Sequence, residues 1–166
     1  MPDEIAIVPL QGAPSNRSHW RRDLALAPDD RAVSGTRADE SDRILIVEDD
    51  MLVANEMEAT LYDAGFEIVG IVATGKEALQ LAEAERPMLA VMDIRIAGDR
   101  DGIDTALELF RSQGLRCIFA SAHSDHDSRL RAQPAAPLGW LQKPYTMASL
   151  TAMVRAAVRE LRSQPG

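Results

Sequence analysis

Leu89-Ala90-Val91-Met92-Asp93 is an apolar run of strand length that stops on a single carboxylate. It passes directly into the loop Ile94-Arg95-Ile96-Ala97-Gly98-Asp99-Arg100-Asp101-Gly102, which is rich in aspartate and contains two glycines. A strand that reads apolar throughout is typical of a parallel sheet, because both of its faces are covered. Ligands of open α/β sheets bind just beyond the carboxyl ends of the strands. Asp93 is therefore predicted to lie at the functional edge of such a sheet.

A second apolar run, Ile44-Leu45-Ile46-Val47, also stops on acids, in this case Glu48-Asp49-Asp50. Apolar residues then recur at helical spacing as far as Ala64, and Gly65 suits the position just past a helix end. This part of the chain is predicted to fold as a strand, an acidic loop and a helix.

The same alternation continues towards the carboxyl terminus. Thr74 is predicted to cap a helix over residues 75–85, which Pro87 ends. Apolar runs predict the remaining strands, at residues 66–73, 88–92, 115–120 and 138–142. Five strands alternating with five helices predict an α/β fold, a doubly wound parallel sheet with helices on both faces and right-handed crossovers.

Composition limits the partners and the compartment. The chain has 166 residues and a net charge of -8. We therefore expect no nucleic-acid partner and no membrane partner, since non-specific binding to either relies on positive charge. Cys117 is the single cysteine, which fits a reducing compartment. The first twenty residues have no long apolar core, so a cytoplasmic location is expected.

The chain divides into two parts by pattern. Residues 1–42 combine prolines and scattered charges with no sustained period of 2 or 3.6, so they are expected to form a disordered extension. Residues 43–163 are expected to form the folded domain.

The predicted strand ends bring acids, a hydroxyl and an amine to one edge of the sheet. The first strand supplies Glu48 and Asp49, the third Asp93, the fourth Ser121 and the fifth Lys143. Carboxylates gathered there repel each other by about 4 kcal/mol per pair at 4 Å and an effective dielectric of 20. Mg²⁺ is the usual cation where carboxylates and phosphate meet. The edge is predicted to handle a phosphoryl group on or near an acid side chain.

The same residues resemble the receiver domain of two-component response regulators. The matching segments are Ile44-Leu45-Ile46-Val47-Glu48-Asp49-Asp50, Met92-Asp93-Ile94, Gly102, Phe119-Ala120-Ser121-Ala122 and Lys143-Pro144. The resemblance covers the chain from Arg43 to about Leu161. It implies a flavodoxin-like sheet with strand order 2-1-3-4-5.

The resemblance also implies a set of roles. Asp93 would accept a phosphoryl group from a phosphohistidine on a histidine kinase or a histidine phosphotransfer protein. Glu48, Asp49 and Asp93, with the backbone carbonyl of Arg95, would hold Mg²⁺. The ion and Lys143 would offset charge on the transferring oxygens.

Further roles follow from the resemblance for the switch and for the lifetime of the product. Ser121 would move toward the phosphate, and Trp140 takes the place of an aromatic side chain that swings inward. Trp is bulkier than the usual Tyr or Phe at this position. Arg95 and His123 flank the route of an attacking water and would tune how long the aspartyl phosphate survives. The loop after Asp93 also lacks the proline that many receivers carry.

After Lys143-Pro144 the sequence has room for one more helix, so no fused effector domain is expected. The first prediction is a stand-alone, single-domain response regulator, not an enzyme, that relays a phosphoryl group or switches a protein partner. The first alternative is an adaptor with the same fold that works without phosphorylation. The second is a phosphoaspartyl enzyme of the haloacid dehalogenase type, which would need an acid where Arg95 stands.

Overall fold

A computed structural model of the protein describes residues 42–122 and 126–164. Strands and helices alternate along these residues. The strands are β1 (Arg43–Val47), β2 (Glu67–Val72), β3 (Leu89–Met92), β4 (Arg116–Ser121) and β5 (Gly139–Gln142). The helices are α1 (Met51–Asp63), α2 (Gly75–Glu85), α3 (Gly102–Gln113), α4 (His126–Ala132) and α5 (Met147–Ser163), and a 3-10 turn over Gln133–Ala135 follows α4.

Side-chain caps fix where four helices begin, and the Thr146 hydroxyl caps α5 in this way. The Asp50 carboxylate accepts the N–H groups of Leu52 and Val53 at the start of α1. Thr74 and Glu77 form a reciprocal capping box at the start of α2, so the predicted cap is confirmed. Asp101 caps α3. Each cap satisfies amide groups that have no partner inside the helix.

All neighbouring strands pair in parallel, in the order β2-β1-β3-β4-β5. The predicted five-stranded, flavodoxin-like sheet with five helices is therefore confirmed. The ends of the elements differ from the predicted bounds by one or two residues, because helices and strands fray at their termini. The carboxyl ends of β1, β3, β4 and β5 lie along one edge of the sheet.

Two apolar clusters cover the two faces of the sheet. On one face α1 and α5 pack against the strands, with Met57 and Leu150 fully covered. On the other face α2 and α3 supply most of the helical contacts, with Ala78 and Ile103 fully covered, and α4 contributes Ala132. The sheet is thus covered on both faces, as the apolar strands predicted.

The predicted extension falls almost entirely on residues 1–41, which lie outside the described residues. Its disorder, and the boundary between it and a domain over 43–163, stay predictions. Within residues 42–122 and 126–164, no helix has the length and apolar character needed to span a bilayer.

Candidate functional site

The amine of Lys143 joins three strands at the carboxyl edge of the sheet. Its Nζ donates to Glu48 Oε2 over 2.8 Å and to Asp93 Oδ2 over 2.7 Å. The donor is separated from these two acceptors by 95 and 50 residues of chain. The loop after β1, the loop after β3 and the end of β5 therefore meet at one point, as the parallel order requires.

The three consecutive acids after β1 have three different environments. Glu48 is buried, and its Oε1 accepts the backbone N–H of Asp50 over 3.2 Å. Asp49 is exposed. Asp50 is occupied in capping α1 and accepts the N–H of Leu52 over 2.9 Å. Only the first two of these acids take part in the acidic cluster described below.

Asp93 is almost covered, with 8% of its surface exposed. Its Oδ1 accepts the backbone N–H of Arg95 over 3.1 Å, and its Oδ2 binds Lys143. The backbone behind it is closed by Gly102, whose N–H donates to Ile94 O over 2.7 Å. A Cβ at position 102 would lie 1.9 Å from the carbonyl oxygen of Asp93. Glycine is required there because the start of α3 sits directly on the backbone of Asp93.

Burial and the Lys143 ammonium act in opposite directions on the pKa of the Glu48 carboxyl. Burial raises the pKa of this carboxyl, and the hydrogen bonds from Lys143 and from the Asp50 amide offset only part of that rise. For Lys143, burial by itself lowers the pKa. The hydrogen bonds and negative charges of Asp93 and Glu48 together outweigh it, so the pKa of the amine lies above its ordinary value. Lys143 is consequently a fixed positive charge in the physiological range.

The donor set fits a hard divalent cation. Carboxylate oxygens of Glu48, Asp49 and Asp93 all lie within 4.8 Å of one another. Three carboxylates facing one ammonium leave an excess of two formal negative charges, which matches the charge of Mg²⁺. Mg²⁺ binds oxygen ligands, usually with a few carboxylates and several waters. The residues present therefore suit Mg²⁺.

Ser121 and Trp140 lie on the two strands beyond Asp93. Ser121 is the last residue of β4, is buried, and its carbonyl accepts the N–H of Lys143 over 3.0 Å. Trp140 is half-buried and stacks on Phe119, with ring centroids 4.6 Å apart. The guanidinium of Arg129 lies 5.1 Å from the centre of the indole ring. The Trp140 ring is thus held between an aromatic side chain of β4 and an arginine of α4.

The structure brings most of the predicted site residues to one edge, but not all can be placed. The side chain of Arg95 is exposed, two residues past Asp93. His123 lies outside the described residues. The predicted roles of Arg95, Ser121, Trp140 and His123 stay predictions.

The sequence interpretation missed one feature beside the site, an ion pair between α4 and α3. Arg131 contacts the carboxylates of Asp101 and Asp104, over 2.8 and 3.2 Å. A capping signal was present at Asp101, because an aspartate followed by glycine stands just before an amphipathic run. Nothing in the sequence indicated its arginine partner, which follows 30 residues later.

Comparison with known proteins places the site in a family. The family model for the response regulator receiver domain matches residues 44–155. The transcriptional regulatory protein PdtaR of Mycobacterium tuberculosis is 35% identical over 120 residues, which are 72% of this chain and 58% of PdtaR. The phyllosphere-induced regulator PhyR of Methylorubrum extorquens is 30% identical over 130 residues, 78% of this chain and 48% of PhyR. The chain thus spans about half the length of the curated relatives it matches.

Solved structures of receiver domains are also similar to this chain. The signal receiver domain of a modulated diguanylate cyclase from Desulfovibrio desulfuricans superimposes with a TM-score of 0.67 at 32% identity, over 72% of this chain and 95% of that one. A CheY-like response regulator receiver domain protein from Methanospirillum hungatei gives a TM-score of 0.69 at 24% identity, over 74% of this chain and 98% of that one. The second likeness concerns the fold alone.

Proposed function

Because this chain belongs to the response regulator receiver domain family, we propose that it works in two-component phosphorelay signalling by accepting a phosphoryl group on Asp93. Receivers are signalling modules of two-component systems, and a phosphohistidine on a histidine kinase or a histidine phosphotransfer protein is the proposed donor. The observation that carries the proposal is the amine of Lys143, which binds Glu48 and Asp93 at 2.8 and 2.7 Å.

The transfer is a simple exchange of bonds. The phosphorus–nitrogen bond of the donor histidine breaks, and a phosphorus–oxygen bond to the Asp93 carboxylate forms. The departing imidazole takes up a proton from solvent. The signal ends when water attacks phosphorus, which releases inorganic phosphate and restores the carboxylate. The protein acts on its own phosphoryl group and is not proposed to turn over an external substrate.

The contributions of the chain to this exchange are positioning and electrostatics. Lys143 holds Oδ2 and the Arg95 amide holds Oδ1, so the Asp93 carboxylate has one orientation. The fixed charge of Lys143 offsets negative charge on the transferring oxygens. Glu48, Asp49 and Asp93, with the carbonyl of Arg95, would hold Mg²⁺, which supplies further charge neutralisation when bound.

The output is proposed to be a protein contact. A phosphoryl group adds a charge of about -1.5 to -2, and Ser121 is the proposed hydroxyl that responds to it. Trp140 is the proposed aromatic partner in that response, and Arg95 and His123 are the proposed determinants of phosphoryl lifetime. The expectation of no nucleic-acid partner and no membrane partner, and the cytoplasmic location, stay predictions.

The test is phosphorylation with a small-molecule donor. The protein is incubated with Mg²⁺ and acetyl phosphate and its intact mass is measured. We expect the gain of one phosphoryl group that is stable in acid and labile in base. Asp93→Asn should show no gain, whereas the matched control Asp99→Asn, which alters an exposed acid of the same loop, should behave as the wild type.

The second arm of the test concerns the metal. Chelation of Mg²⁺ should abolish the gain, and Lys143→Ala should slow it by a factor of about 100, in line with the loss of one preorganised charge from such a site. A wild-type protein that takes up no phosphoryl group from acetyl phosphate or from a phosphohistidine donor would overturn the proposal and favour the phosphorylation-independent adaptor.

A further inference from the structure

The helix α4 reaches its neighbours through two arginines. Arg131 Nη2 lies 2.8 Å from Asp101 Oδ2 and 3.2 Å from Asp104 Oδ1. Arg129 lies over the Trp140 ring. Across the seven residues of α4, all of which the structure describes, only Ala132 is buried. Apolar burial, the usual source of helix docking, is therefore small in α4.

We propose that Arg131 is a positioning residue that couples α4 to the loop following Asp93. The inference rests on the proposed function, since it gives a change at Asp93 a route to a surface helix. The loop starts at Asp93 and ends at Asp101, and Arg131 binds its last residue.

The Asp101 carboxylate has two separate tasks. Its Oδ1 accepts the N–H of Asp104 over 2.8 Å and so begins α3. Its Oδ2 accepts from Arg131. One side chain therefore ends the loop, starts α3 and holds α4. A rotation of this carboxylate therefore affects the end of the loop, the cap of α3 and the contact with α4 at the same time.

The other end of the route is the backbone of Asp93. Gly102 directly follows Asp101 and donates its N–H to Ile94 O over 2.7 Å. The start of α3 also lies so close to the Asp93 carbonyl that a methyl group would not fit. The loop is consequently closed on itself beside Asp93. Because the start of α3 is packed directly against this backbone, a displacement of Asp93 and Ile94 would press on Gly102 and on its neighbour Asp101.

The electrostatics of the pair agree with this geometry. The hydrogen bond that Arg131 donates to Asp101 is the largest influence on the pKa of the guanidinium and raises it, so the arginine stays charged. A phosphoryl group on Asp93 adds negative charge beside a loop that already carries Asp99 and Asp101. The added charge repels these acids, and the cation that restrains Asp101 from outside the loop is Arg131.

The experiment is hydrogen–deuterium exchange of the full chain, with and without Mg²⁺ and acetyl phosphate. It compares wild type, Arg131→Ala, Arg131→Lys and Arg100→Ala. Arg100 is a matched control because it has the same charge and nearly the same exposure, 50% against 49%, and pairs with Glu108 rather than across to α4.

In the unphosphorylated state, we expect Arg131→Ala to speed amide exchange in both α4 and residues 94–101 by about two- to fivefold, the effect of one exposed ion-pair network. Phosphorylation should change exchange in α4 of the wild type, and Arg131→Ala should reduce that change. Arg131→Lys should restore part of it, and Arg100→Ala, which alters the loop itself without touching the contact to α4, should match the wild type in α4. In 1 M salt the difference between wild type and Arg131→Ala should shrink.

Two results would overturn the coupling. One is exchange in Arg131→Ala that equals the wild type in α4 and in residues 94–101. The other is an Arg100→Ala variant that speeds exchange in α4 as much as Arg131→Ala does. The failure of the proposed function is separate, since a wild type without mass gain rejects phosphorylation at Asp93. The unphosphorylated comparison of α4 with the loop still decides whether Arg131 couples them.

Discussion

The helices α4 and α5 pack on opposite faces of the sheet, and different forces hold them there. α5 has 17 residues and buries Leu150, Val154, Ala157 and Val158. α4 has seven residues and buries Ala132 alone among them. Full burial of a Leu or Val side chain contributes about 1.5–3 kcal/mol, whereas an exposed ion pair contributes about 0–1 kcal/mol. One face is thus fixed by packing, while the other carries a helix that can be repositioned at small cost.

This difference matters for a signalling domain. The site at Asp93 must stay assembled whether or not α4 moves. The packed clusters under α1, α3 and α5 hold the strands in register, so the carboxyl edge keeps its geometry. A helix held by charge is suited to respond to a new charge, because its contacts can be exchanged for contacts with water.

The largest difference between α5 and α4 is expected when one leucine in each helix is replaced by alanine. Leu150→Ala should lower the free energy of unfolding by about 3 kcal/mol, because it leaves a cavity in the core. Leu130→Ala, at a side chain that is 50% exposed, should change it by less than about 0.5 kcal/mol. Urea denaturation followed by circular dichroism measures both. Equal losses in the two variants would refute the difference between the helices.

The next effect concerns the start of α3, to which α4 is anchored. Gly102→Ala should destabilise the protein by about 1–3 kcal/mol, since the new methyl group meets the Asp93 backbone rather than a flexible side chain. The acetyl phosphate reaction should slow as well. Gly139→Ala is the control, because its Cβ meets the flexible end of Met153 on α5. A smaller loss at position 102 than at position 139 would contradict the tight closure of the loop on Asp93.

The buried thiol of Cys117 tests whether the interior beneath α4 stays closed. Burial raises the pKa of Cys117 to about 12 from an ordinary value of 9.0. The unfolded chain therefore ionises first. The stabilisation from the neutral buried thiol is complete below pH 9 and is lost as the pH rises toward 12. At pH 10 the loss is about 1.4 kcal/mol, from the linkage slope for one group.

The measurement for Cys117 is the pH dependence of the unfolding free energy, compared between wild type and Cys117→Ala. The variant should lack this decline between pH 9 and pH 10. At neutral pH, alkylation of the thiol should be about 100-fold faster in Leu150→Ala than in the wild type. The reason is that a loss of about 3 kcal/mol in the free energy of unfolding raises the population of unfolded chain, in which the thiol is accessible, by about two factors of ten. Arg131→Ala should accelerate alkylation by less than about fivefold. A large acceleration in Arg131→Ala would mean that α4 shields the thiol from the reagent, so that loosening this helix alone exposes the core.

The smallest expected effect is at Trp140. In a Trp20→Phe background the tryptophan fluorescence reports Trp140 alone, since the chain has two tryptophans. Arg129→Ala should raise acrylamide quenching by about two- to fivefold, which corresponds to the loss of one cation–π contact of about 0.5–1 kcal/mol. Arg155→Ala, in α5, is the control and should leave quenching unchanged. Unchanged quenching in Arg129→Ala would mean that the contact between Arg129 and Trp140 does not help to hold α4.

Much of the fold could be read from local pattern. The run from Ile44 to Val47 and the run ending at Asp93 are apolar throughout because their strands are buried on both faces, and both are strands in the structure. Thr74 was recognisable as a cap because a hydroxyl and an acid three residues later satisfy each other locally. Such signals depend only on neighbours in sequence.

The details of the site were less accessible. The acids after β1 are consecutive, and sequence alone gives no reason for Glu48 to be buried while Asp49 is exposed. Glu48 can be buried because its carboxylate accepts a hydrogen bond from the Lys143 amine, which lies 95 residues later in the sequence. The stacking of Trp140 on Phe119 likewise depends on the register of β4 and β5.

The sequence by itself determined the alternation of strands and helices, the strand ends on which the acids and the lysine stand, and the family. These follow from hydrophobic period, capping and motif, which are properties of short segments. Only the tertiary structure decided that Arg131 joins α4 to the first turn of α3, and that α4 is held by charge while α5 is held by packing. Contacts between surface side chains far apart in sequence carry no local signal, because many arginines and acids could pair and only the folded backbone brings two of them within reach.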